Sequence, residues 1–481
     1  MRLFRDVRAA SSSVILGLLL SSVRSVLLLR ILPPALLGAW KTAFLVDGAG
    51  EFARLGINRG VEVQVPVLTV QGKQREATAF EDTAATFSLI LGLLYGVMVA
   101  AAGFLVANRD LRIALWTVAP LMAVAQPYFF LRDLSTTRQN FALRNRETLW
   151  RSGGDAVLVV VGVMAFGLAG MGLAATAVTI AATIYLIAKL PFRFRLRFHA
   201  AHFRALVRIG FPYSLTEAAF ELLRRLDVIC IAIVLGPVAV GTYGISLLVM
   251  DLSTVVARKG VAQVVSPHLM REFGRTGSHR AVAQFYEAPA RLFAYLLPPA
   301  LALGAFVIGD LVRMAMPQYT AGIKAAEITV WAVFFVALHA SLSSFFVAAD
   351  RIPKVLRFFR LLIPLAAVAQ FVGLRAGFGI EGAAWTTVGT LALLSVGELV
   401  LARASCGADA RAIVRFIATL TMPLAIAITL HAGVGALAGE WLLPAPLRLA
   451  VAMVLFLVLY SPVFFLYENR FSLLRAVRHA T

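Results

Sequence analysis

The most informative residues in this sequence are ionisable side chains that lie inside long apolar segments. A charge in the hydrocarbon core of a bilayer is costly, so such a residue usually faces a partner or a water-filled cavity. The residues of this kind are Arg24, Asp47, Glu51, Arg54, Glu217, Glu221, Arg224, Arg225, Asp227 and Asp251. Cations and anions at one depth suit either a polar cavity for a charged ligand or a network of salt bridges between helices.

The spacing of these residues matches helical periodicity. Asp47, Glu51 and Arg54 are four and three residues apart, which places them on one face of a helix. Glu221 and Arg225 stand in the favourable i, i+4 order. We expect the segments between these two groups to carry almost no charge at mid-depth. A cavity lined by the whole set is the favoured interpretation, and a network that only holds helices together is the alternative.

The helices that must position these charges are membrane spans. Hydrophobic residues make up 60% of the 481 and charged residues 15%, whereas a soluble globular chain carries roughly 25% charged residues. About fourteen segments approach the roughly 20 residues that cross the hydrocarbon core. Their predicted limits are 10–32, 37–60, 83–107, 112–134, 146–168, 171–190, 210–235, 239–262, 284–311, 323–348, 355–375, 380–402, 412–434 and 447–467. The predicted fold class is therefore an all-α polytopic membrane protein.

The basic residues lie in alternate loops between these spans. Residues on the basic side include Arg2, Arg5, Arg8, Lys73, Arg75, Arg138, Arg144, Arg193, Arg195, Arg197, Arg258, Lys259, Arg271, Arg280, Arg351, Lys354, Arg475 and Arg478. Short basic loops remain in the cytoplasm, so both termini are predicted to be cytoplasmic and the protein to lie in the inner membrane. Topology thus explains the net charge of +20 better than a nucleic-acid partner does.

No catalytic or cofactor-binding pattern is present in the sequence. It contains no P-loop, no Gly-x-Ser-x-Gly, no His-Glu-x-x-His and no histidines at metal-ligand spacing. We therefore expect no enzyme, no metal site and no cofactor. Cys230 and Cys406 are predicted to be unpaired thiols. The predicted outer loops are short, which argues against a membrane enzyme that polymerises or ligates glycans.

An internal repeat divides the chain. Leu32-Pro-Pro-Ala-Leu-Leu-Gly-Ala-Trp40 aligns without gaps with Leu235-Gly-Pro-Val-Ala-Val-Gly-Thr-Tyr243, at an offset of 203. A weaker echo pairs the segments after Gly167 and Gly377 at an offset of 210. Proline and glycine also mark any tight hairpin, so either echo alone is compatible with chance, but together they favour duplication. An offset of six spans gives a parallel repeat with the substrate site between two lobes.

This repeat predicts four regions of the chain. Residues 1–190 form an N-terminal six-helix lobe, 191–209 a basic cytoplasmic linker and 210–403 a C-terminal six-helix lobe. Residues 404–481 supply two additional helices and a cytoplasmic tail. The intramembrane charges fall in spans one, two, seven and eight, which are equivalent pairs under the repeat. We therefore expect the polar cavity between the two lobes.

Three motifs resemble a known family. They are Arg30-x-Leu-x-Pro-x-x-x-Gly38-x-Trp40, Gly210-Phe-Pro212, and Leu226-Asp227 followed by Leu235-Gly-Pro237 and Gly241-Thr-Tyr243. With the span count and the repeat, they resemble the polysaccharide (O-antigen) lipid flippases, the Wzx-like branch of the multidrug/oligosaccharidyl-lipid/polysaccharide exporter superfamily. Members usually have an Asp-Arg pair late in the seventh span, whereas here Asp227 precedes Val228.

The resemblance implies a flippase that moves a polyprenyl-diphosphate-linked oligosaccharide by alternating access. Arginine forks suit phosphate oxygens, so the implied substrate-binding residues are Arg24, Arg54, Arg224 and Arg225. The implied ion-coupling or cavity charges are Asp47, Glu51, Glu217, Glu221, Asp227 and Asp251. The implied partners are the lipid bilayer, the lipid-linked oligosaccharide, a polysaccharide polymerase and glycosyltransferases.

Two other functions remain as alternatives. A drug/cation antiporter or a peptidoglycan-precursor flippase of the same superfamily would share the fold. An antiporter for organic cations needs an acidic cavity, whereas four of the ten residues of the predicted cluster are arginines. A glycan polymerase or ligase is the alternative from a different class.

Overall fold

The computed structural model describes residues 2–192, 195–257, 275–276, 278, 283–349, 351–439 and 441–471. All regular secondary structure in these ranges is helical. The first half contains α1 (Arg2–Ile31), α2 (Pro34–Ala53), α3 (Ile57–Val70), α4 (Gln74–Phe104), α5 (Arg109–Thr137), α6 (Phe141–Lys189), α7 (Ala200–Val234), α8 (Pro237–Thr242) and α9 (Gly244–Ala257). The second half contains α10 (Gln284–Ala315), a 3₁₀ helix (Pro317–Gly322), α11 (Ile323–Ala348), α12 (Ile352–Arg375), α13 (Gly379–Ser405), α14 (Ala410–Gly439) and α15 (Ala445–Phe471).

The all-α fold class predicted from composition is confirmed, and the helices follow the predicted spans closely. Within the described residues, nine helical segments are long and apolar enough to cross a membrane. They cover predicted spans three to six and nine to fourteen, with spans five and six both inside α6. Spans one, two, seven and eight are helical as well but are not among these nine. Of their helices, α2 and α7 contain several ionisable residues, and α3, α8 and α9 are short.

Four predicted spans differ from separate straight helices. The second is broken at Leu55 and Gly56, whose φ angles of 52° and 74° are left-handed, and continues as α3. The eighth is divided into α8 and α9. Spans five and six join at Gly167, where φ 58° and ψ −137° reverse the chain inside α6. The two arms meet so closely that a Cβ on Gly170 would lie 1.9 Å from the carbonyl oxygen of Gly162.

The chain folds into two compact units. The first contains residues 1–244 and 359–376, and the second contains residues 245–358 and 377–481. The division into two six-helix lobes at residues 190 and 210 stays a prediction. Cys230 and Cys406 are both free and buried. The predicted basic residues Arg258, Lys259, Arg271, Arg280 and Arg193, and the tail beyond residue 471, lie outside the described residues.

Within the first unit, the two copies of the repeated motif pack against each other. A Cβ added to Gly38 would lie 1.7 Å from the carbonyl oxygen of Pro237, and one added to Gly241 would lie 1.7 Å from that of Pro34. These four residues are the pairs related by the offset of 203. The contact is therefore reciprocal, as a two-fold relation between the motifs requires. Only glycine lets the two backbones approach this closely.

Candidate functional site

Glu221 on α7 binds two arginines of its own helix. Arg224 donates from Nη2 to Oε1 at 2.8 Å and from Nε to Oε2 at 3.1 Å. Arg225 donates from Nε to Oε1 at 2.5 Å. The i, i+3 and i, i+4 spacing places all three groups on one face of the helix. One carboxylate thus holds two guanidinium groups together, and the group keeps one excess positive charge.

Asp47 of α2 lies within electrostatic reach of this group. Arg225 packs against α2, with its Cδ 3.8 Å from the position of a Cβ on Gly48. Arg54, Arg225, Glu221 and Arg151 are the charged groups that act on the Asp47 carboxylate. The structure therefore brings Asp47, Glu221 and Arg225, which are far apart in sequence, into one neighbourhood.

Arg54 ends α2 and is held by α5. Its Nε donates to Oε1 of Gln126 at 2.8 Å, and its guanidinium carbon lies 4.2 Å above the centre of the Phe129 ring. Gly50 permits this approach, because a Cβ there would lie 2.9 Å from Nε2 of Gln126. A cation stacked on an aromatic ring gains roughly 0.5–2 kcal/mol. Arg54 is thus oriented by a neutral amide and a ring, with no carboxylate in these two contacts.

Arg24 of α1 forms an ion pair with Asp155 of α6. The two side chains are 28% and 20% exposed. The sequence does not predict this pairing, and the expectation that spans three to six carry almost no charge at depth is wrong for α6. A single Asp flanked by small residues gives a weak sequence signal. Its position opposite Arg24 depends on how α1 packs on α6.

Asp227 has a local hydrogen-bonding role. Its Oδ2 accepts a hydrogen bond from the Tyr243 hydroxyl at 2.9 Å, and its Oδ1 accepts one from the Val228 amide at 2.7 Å. The side chain is buried, at 2% exposure of the residue. Tyr243 closes the repeated motif, so this bond joins the end of α8 to α7.

The remaining predicted acids are not joined to the cluster by these contacts. Glu51 is half-buried on α2, and Glu217 is exposed on α7. Asp251 is exposed on α9, which belongs to the second unit. Their functional roles stay predictions.

A buried polar group on α5 and α6 extends the site beyond the predicted residues. The Tyr128 hydroxyl donates to Oε1 of Glu147 at 2.8 Å, and Arg151 lies 4.6 Å above the Tyr128 ring. Arg132 approaches Glu147 at 3.9 Å. Arg151 also interacts electrostatically with Asp47, so it links this polar group to the charged residues of α2 and α7.

We call Asp47, Arg54, Arg151, Glu221, Arg224 and Arg225 the arginine cluster.

A second buried pair lies in the second unit. Nδ1 of His339 on α11 is 2.9 Å from Oε2 and 3.0 Å from Oε1 of Glu398 on α13. Both residues are buried, at 8% and 1% exposure. Sequence analysis missed the pair, because each residue is isolated within an apolar span.

The arginine cluster has four guanidinium groups and two carboxylates. In this set the positive charges exceed the negative charges by two. Among the described residues no group of three or more metal-binding side chains exists.

Comparison with known proteins identifies both a family and a fold. The family model described as "Polysaccharide biosynthesis protein" matches residues 27–319. No curated protein sequence matches the chain.

Three solved structures illustrate the structural likeness. A lipid II flippase MurJ in an inward closed conformation has a TM-score of 0.70 and 13% identity, covering 96% of this chain and 99% of that chain. An inward-facing multidrug resistance MATE family transporter of the MOP superfamily has a TM-score of 0.64 and 13% identity. The match covers 83% of this chain and 98% of that chain. A MOP superfamily transporter from Pyrococcus furiosus has a TM-score of 0.61 and 14% identity, and the match covers 84% of this chain and 95% of that chain. Its binding pocket is described as having reverse polarity. At these identities the likeness shows a common fold.

Proposed function

Because the chain belongs to the polysaccharide biosynthesis protein family, we propose that it is a flippase for a polyprenyl-diphosphate-linked oligosaccharide. The protein moves the charged head group across the inner membrane by alternating access, while the lipid tail stays in the bilayer. The arginine cluster is the observation that carries this proposal. Its position among helices of a transporter fold suits a site for a phosphorylated head group.

The contacts of the arginines favour a diphosphate as ligand. Arg224 and Arg225 both donate to one carboxylate, Glu221, so that two guanidinium groups lie side by side. Arg54 is held by Gln126 and Phe129, which leave its charge uncompensated in those two contacts. Arginine binds phosphate oxygens through two parallel hydrogen bonds. Two adjacent phosphates therefore match the excess of guanidinium groups better than a neutral sugar or a cation does.

The acidic residues have a different role in this proposal. Glu221 holds Arg224 and Arg225 in the absence of substrate, and the two arginines donate to the phosphate oxygens in place of Glu221 when substrate binds. Asp47 limits the net charge, so that the head group can also be released. Glu51, Glu217, Asp227 and Asp251 are proposed as cavity or ion-coupling charges of the same cycle. Both termini lie in the cytoplasm, and a polysaccharide polymerase and glycosyltransferases are the proposed protein partners.

The alternative functions fit these observations less well. A drug/cation antiporter needs a net negative site, whereas the cluster has four cations against two anions. The Pyrococcus furiosus neighbour is described as a transporter whose pocket polarity is reversed, so the fold accepts pockets of different charge. A glycan polymerase or ligase would need a catalytic group, and the fold neighbours are a flippase and a transporter.

Neutralising the arginines tests this function in cells. We expect the triple change Arg54→Gln, Arg224→Gln and Arg225→Gln to abolish export of surface glycan while the protein remains in the membrane. A matched control changes three arginines outside the cluster, Arg59, Arg109 and Arg313, to glutamine. Export is measured by surface staining of the polysaccharide and membrane content by immunoblot. Normal surface glycan in the triple variant would refute the proposed site.

A further inference from the structure

A polar cavity of about 630 Å³ lies at one end of α4 and α5 in the first unit. Its lining residues are Gln74, Arg75, Thr78, Ala79, Glu81, Asp82, Arg138, Pro191, Phe192, Arg195, Arg197 and His199. The last five belong to the segment that follows α6, the predicted cytoplasmic linker. This cavity contains none of the residues of the arginine cluster.

The walls of the cavity are fixed by hydrogen bonds. Arg138 donates to both carboxylate oxygens of Glu81, at 3.1 and 2.5 Å, and to the carbonyl oxygen of Pro191 at 2.6 Å. The Arg197 amide donates to Oγ1 of Thr86 at 3.0 Å, and that hydroxyl donates to the carbonyl oxygen of Asp82 at 2.8 Å. The described residues of the linker are therefore docked on α4, and the cavity is preformed.

The cavity combines an acidic floor with a basic rim. Asp82 is 2% exposed, and its Oδ1 is buried without a hydrogen-bond partner among the described residues. Arg195, Arg197 and His199 act on this carboxylate electrostatically. Arg195, Arg197 and Arg75 are exposed at the rim. A buried carboxylate oxygen that lacks a donor is costly, so a ligand that supplies an N–H donor to Asp82 would be favoured.

We propose that this cavity binds an amine-bearing phosphate, the chemistry of an aminophospholipid head group. The ammonium group donates to Asp82, and the phosphate is held by Arg75, Arg195 and Arg197. Guanidinium groups at the rim reach phosphate oxygens, whereas the buried carboxylate excludes a purely anionic ligand from the floor. The aminoethyl phosphate group of phosphatidylethanolamine and free O-phosphoethanolamine share this chemistry.

The surface of α4 is exposed and apolar further along the helix from the cavity. Ala79 lines the cavity, and Ile90 and Val97 lie on the same face of the helix, 11 and 18 residues later. Ile90 is 47% exposed and Val97 is 69% exposed. Between the cavity and Ile90 the same face carries Thr83 and Thr86, which are buried, and from Ile90 onward it is exposed and apolar. Because α4 is long and apolar enough to cross a membrane, we take the lipid as the source of the aminophosphate.

Native mass spectrometry of the purified full chain tests the site. The protein is mixed with phosphatidylethanolamine, phosphatidylcholine and phosphatidylglycerol of identical acyl chains, and the retained lipid is measured. We expect phosphatidylethanolamine to be retained most, because the quaternary ammonium of phosphatidylcholine has no N–H donor and phosphatidylglycerol has no cation. Equal or greater retention of phosphatidylglycerol by the wild type would overturn the proposal, since basic membrane pockets generally bind anionic lipids.

Variants locate the binding in the cavity. Asp82→Asn should lower the preference for phosphatidylethanolamine by about tenfold, the factor that corresponds to one charge-assisted hydrogen bond. The matched control is Glu76→Gln, an exposed acid on the same helix that does not line the cavity. An unchanged preference in Asp82→Asn would overturn the proposal.

Variants of the exposed rim arginines provide a second test, which does not require Asp82→Asn to fold. Arg195→Gln with Arg197→Gln should lower retention of phosphatidylethanolamine several-fold, whereas Arg204→Gln with Arg208→Gln, exposed on α7, should not. No difference between these two variants would overturn the proposal. Displacement of the lipid by O-phosphoethanolamine would support the site and assign it to a soluble aminophosphate, and failure to displace would assign it to the lipid.

Discussion

The ion pair between Arg24 and Asp155 allows a quantitative test of how α1 is held on α6. Removing one partner of a fully buried pair costs about 3–5 kcal/mol, whereas exposed pairs contribute roughly 0–1 kcal/mol. At 28% and 20% exposure, the pair falls between these limits. We therefore expect Asp155→Asn and Arg24→Gln each to destabilise the protein by about 1–3 kcal/mol. The double variant should recover part of this loss, because neither charge is then left unpaired.

A double-mutant cycle measures this coupling. Each variant is purified in the same detergent, and stability is taken as the temperature at which half of the protein loses its monodisperse elution peak. The coupling between the two substitutions should stabilise the double variant by about 1 kcal/mol or more relative to the sum of the single effects. Additive effects, or single variants as stable as the wild type, would refute the pairing.

The same variants separate a structural role of Arg24 from a role in substrate binding. Asp155→Asn should retain glycan export in proportion to its membrane content. Arg24→Gln should lose export, and the double variant should stay inactive although its stability recovers. Full export by the double variant would contradict the assignment of Arg24 to the substrate site and leave it a purely structural residue.

Three further predictions concern packing and buried polar groups. Gly241→Val should prevent the close contact with Pro34, because a Cβ would lie 1.7 Å from its carbonyl oxygen. The overpacking should cost about 1–3 kcal/mol or more and lower the thermal stability in detergent. A stability equal to that of the wild type would show that the contact is not formed. Tyr243→Phe removes a donor from buried Asp227 and should cost about 1–3 kcal/mol, measured by the same melting assay with the half-buried Tyr213→Phe as control. Glu398→Ala removes the partner of His339 and should destabilise by about 2–5 kcal/mol, with a smaller effect for Glu398→Gln; equal stability of both variants and wild type would contradict the buried pair.

The sequence alone predicts the helices well, because apolar length is a local property. Predicted span 323–348 coincides with α11, and the others differ mainly in how far each helix extends beyond the apolar run. The break at Leu55 and Gly56 is not predictable in this way. It follows from close packing, since a Cβ on Gly56 would lie 2.3 Å from the backbone of Gly210 on α7. Such a contact depends on the tertiary fold and leaves no periodic signal.

The candidate site is only partly predictable for a similar reason. Asp47, Arg54, Glu221 and Arg225 stand out because they interrupt spans, and the structure brings them together. Gln126, Phe129 and Arg151 hold or extend the same group, but they lie in ordinary helical positions. Polar and aromatic side chains on α5 and α6 become part of the site only because the folded chain brings them close to α2. Tyr243 belongs to the repeated motif, and its hydrogen bond to Asp227 forms only in the folded protein.

Transport by the purified protein tests the central claim most directly. The protein is reconstituted in vesicles with a polyprenyl-diphosphate-linked oligosaccharide, and flipping is measured as the loss of glycan accessible to an external glycosidase. The wild type should flip this lipid faster than protein-free vesicles, and faster than an analogue whose diphosphate is replaced by a neutral linker. A variant with Arg54→Gln and Arg225→Gln should lose the activity, and the Arg59→Gln control should keep it. Equal flipping of the charged and neutral lipids, or normal flipping by the double variant, would contradict a diphosphate site in the arginine cluster.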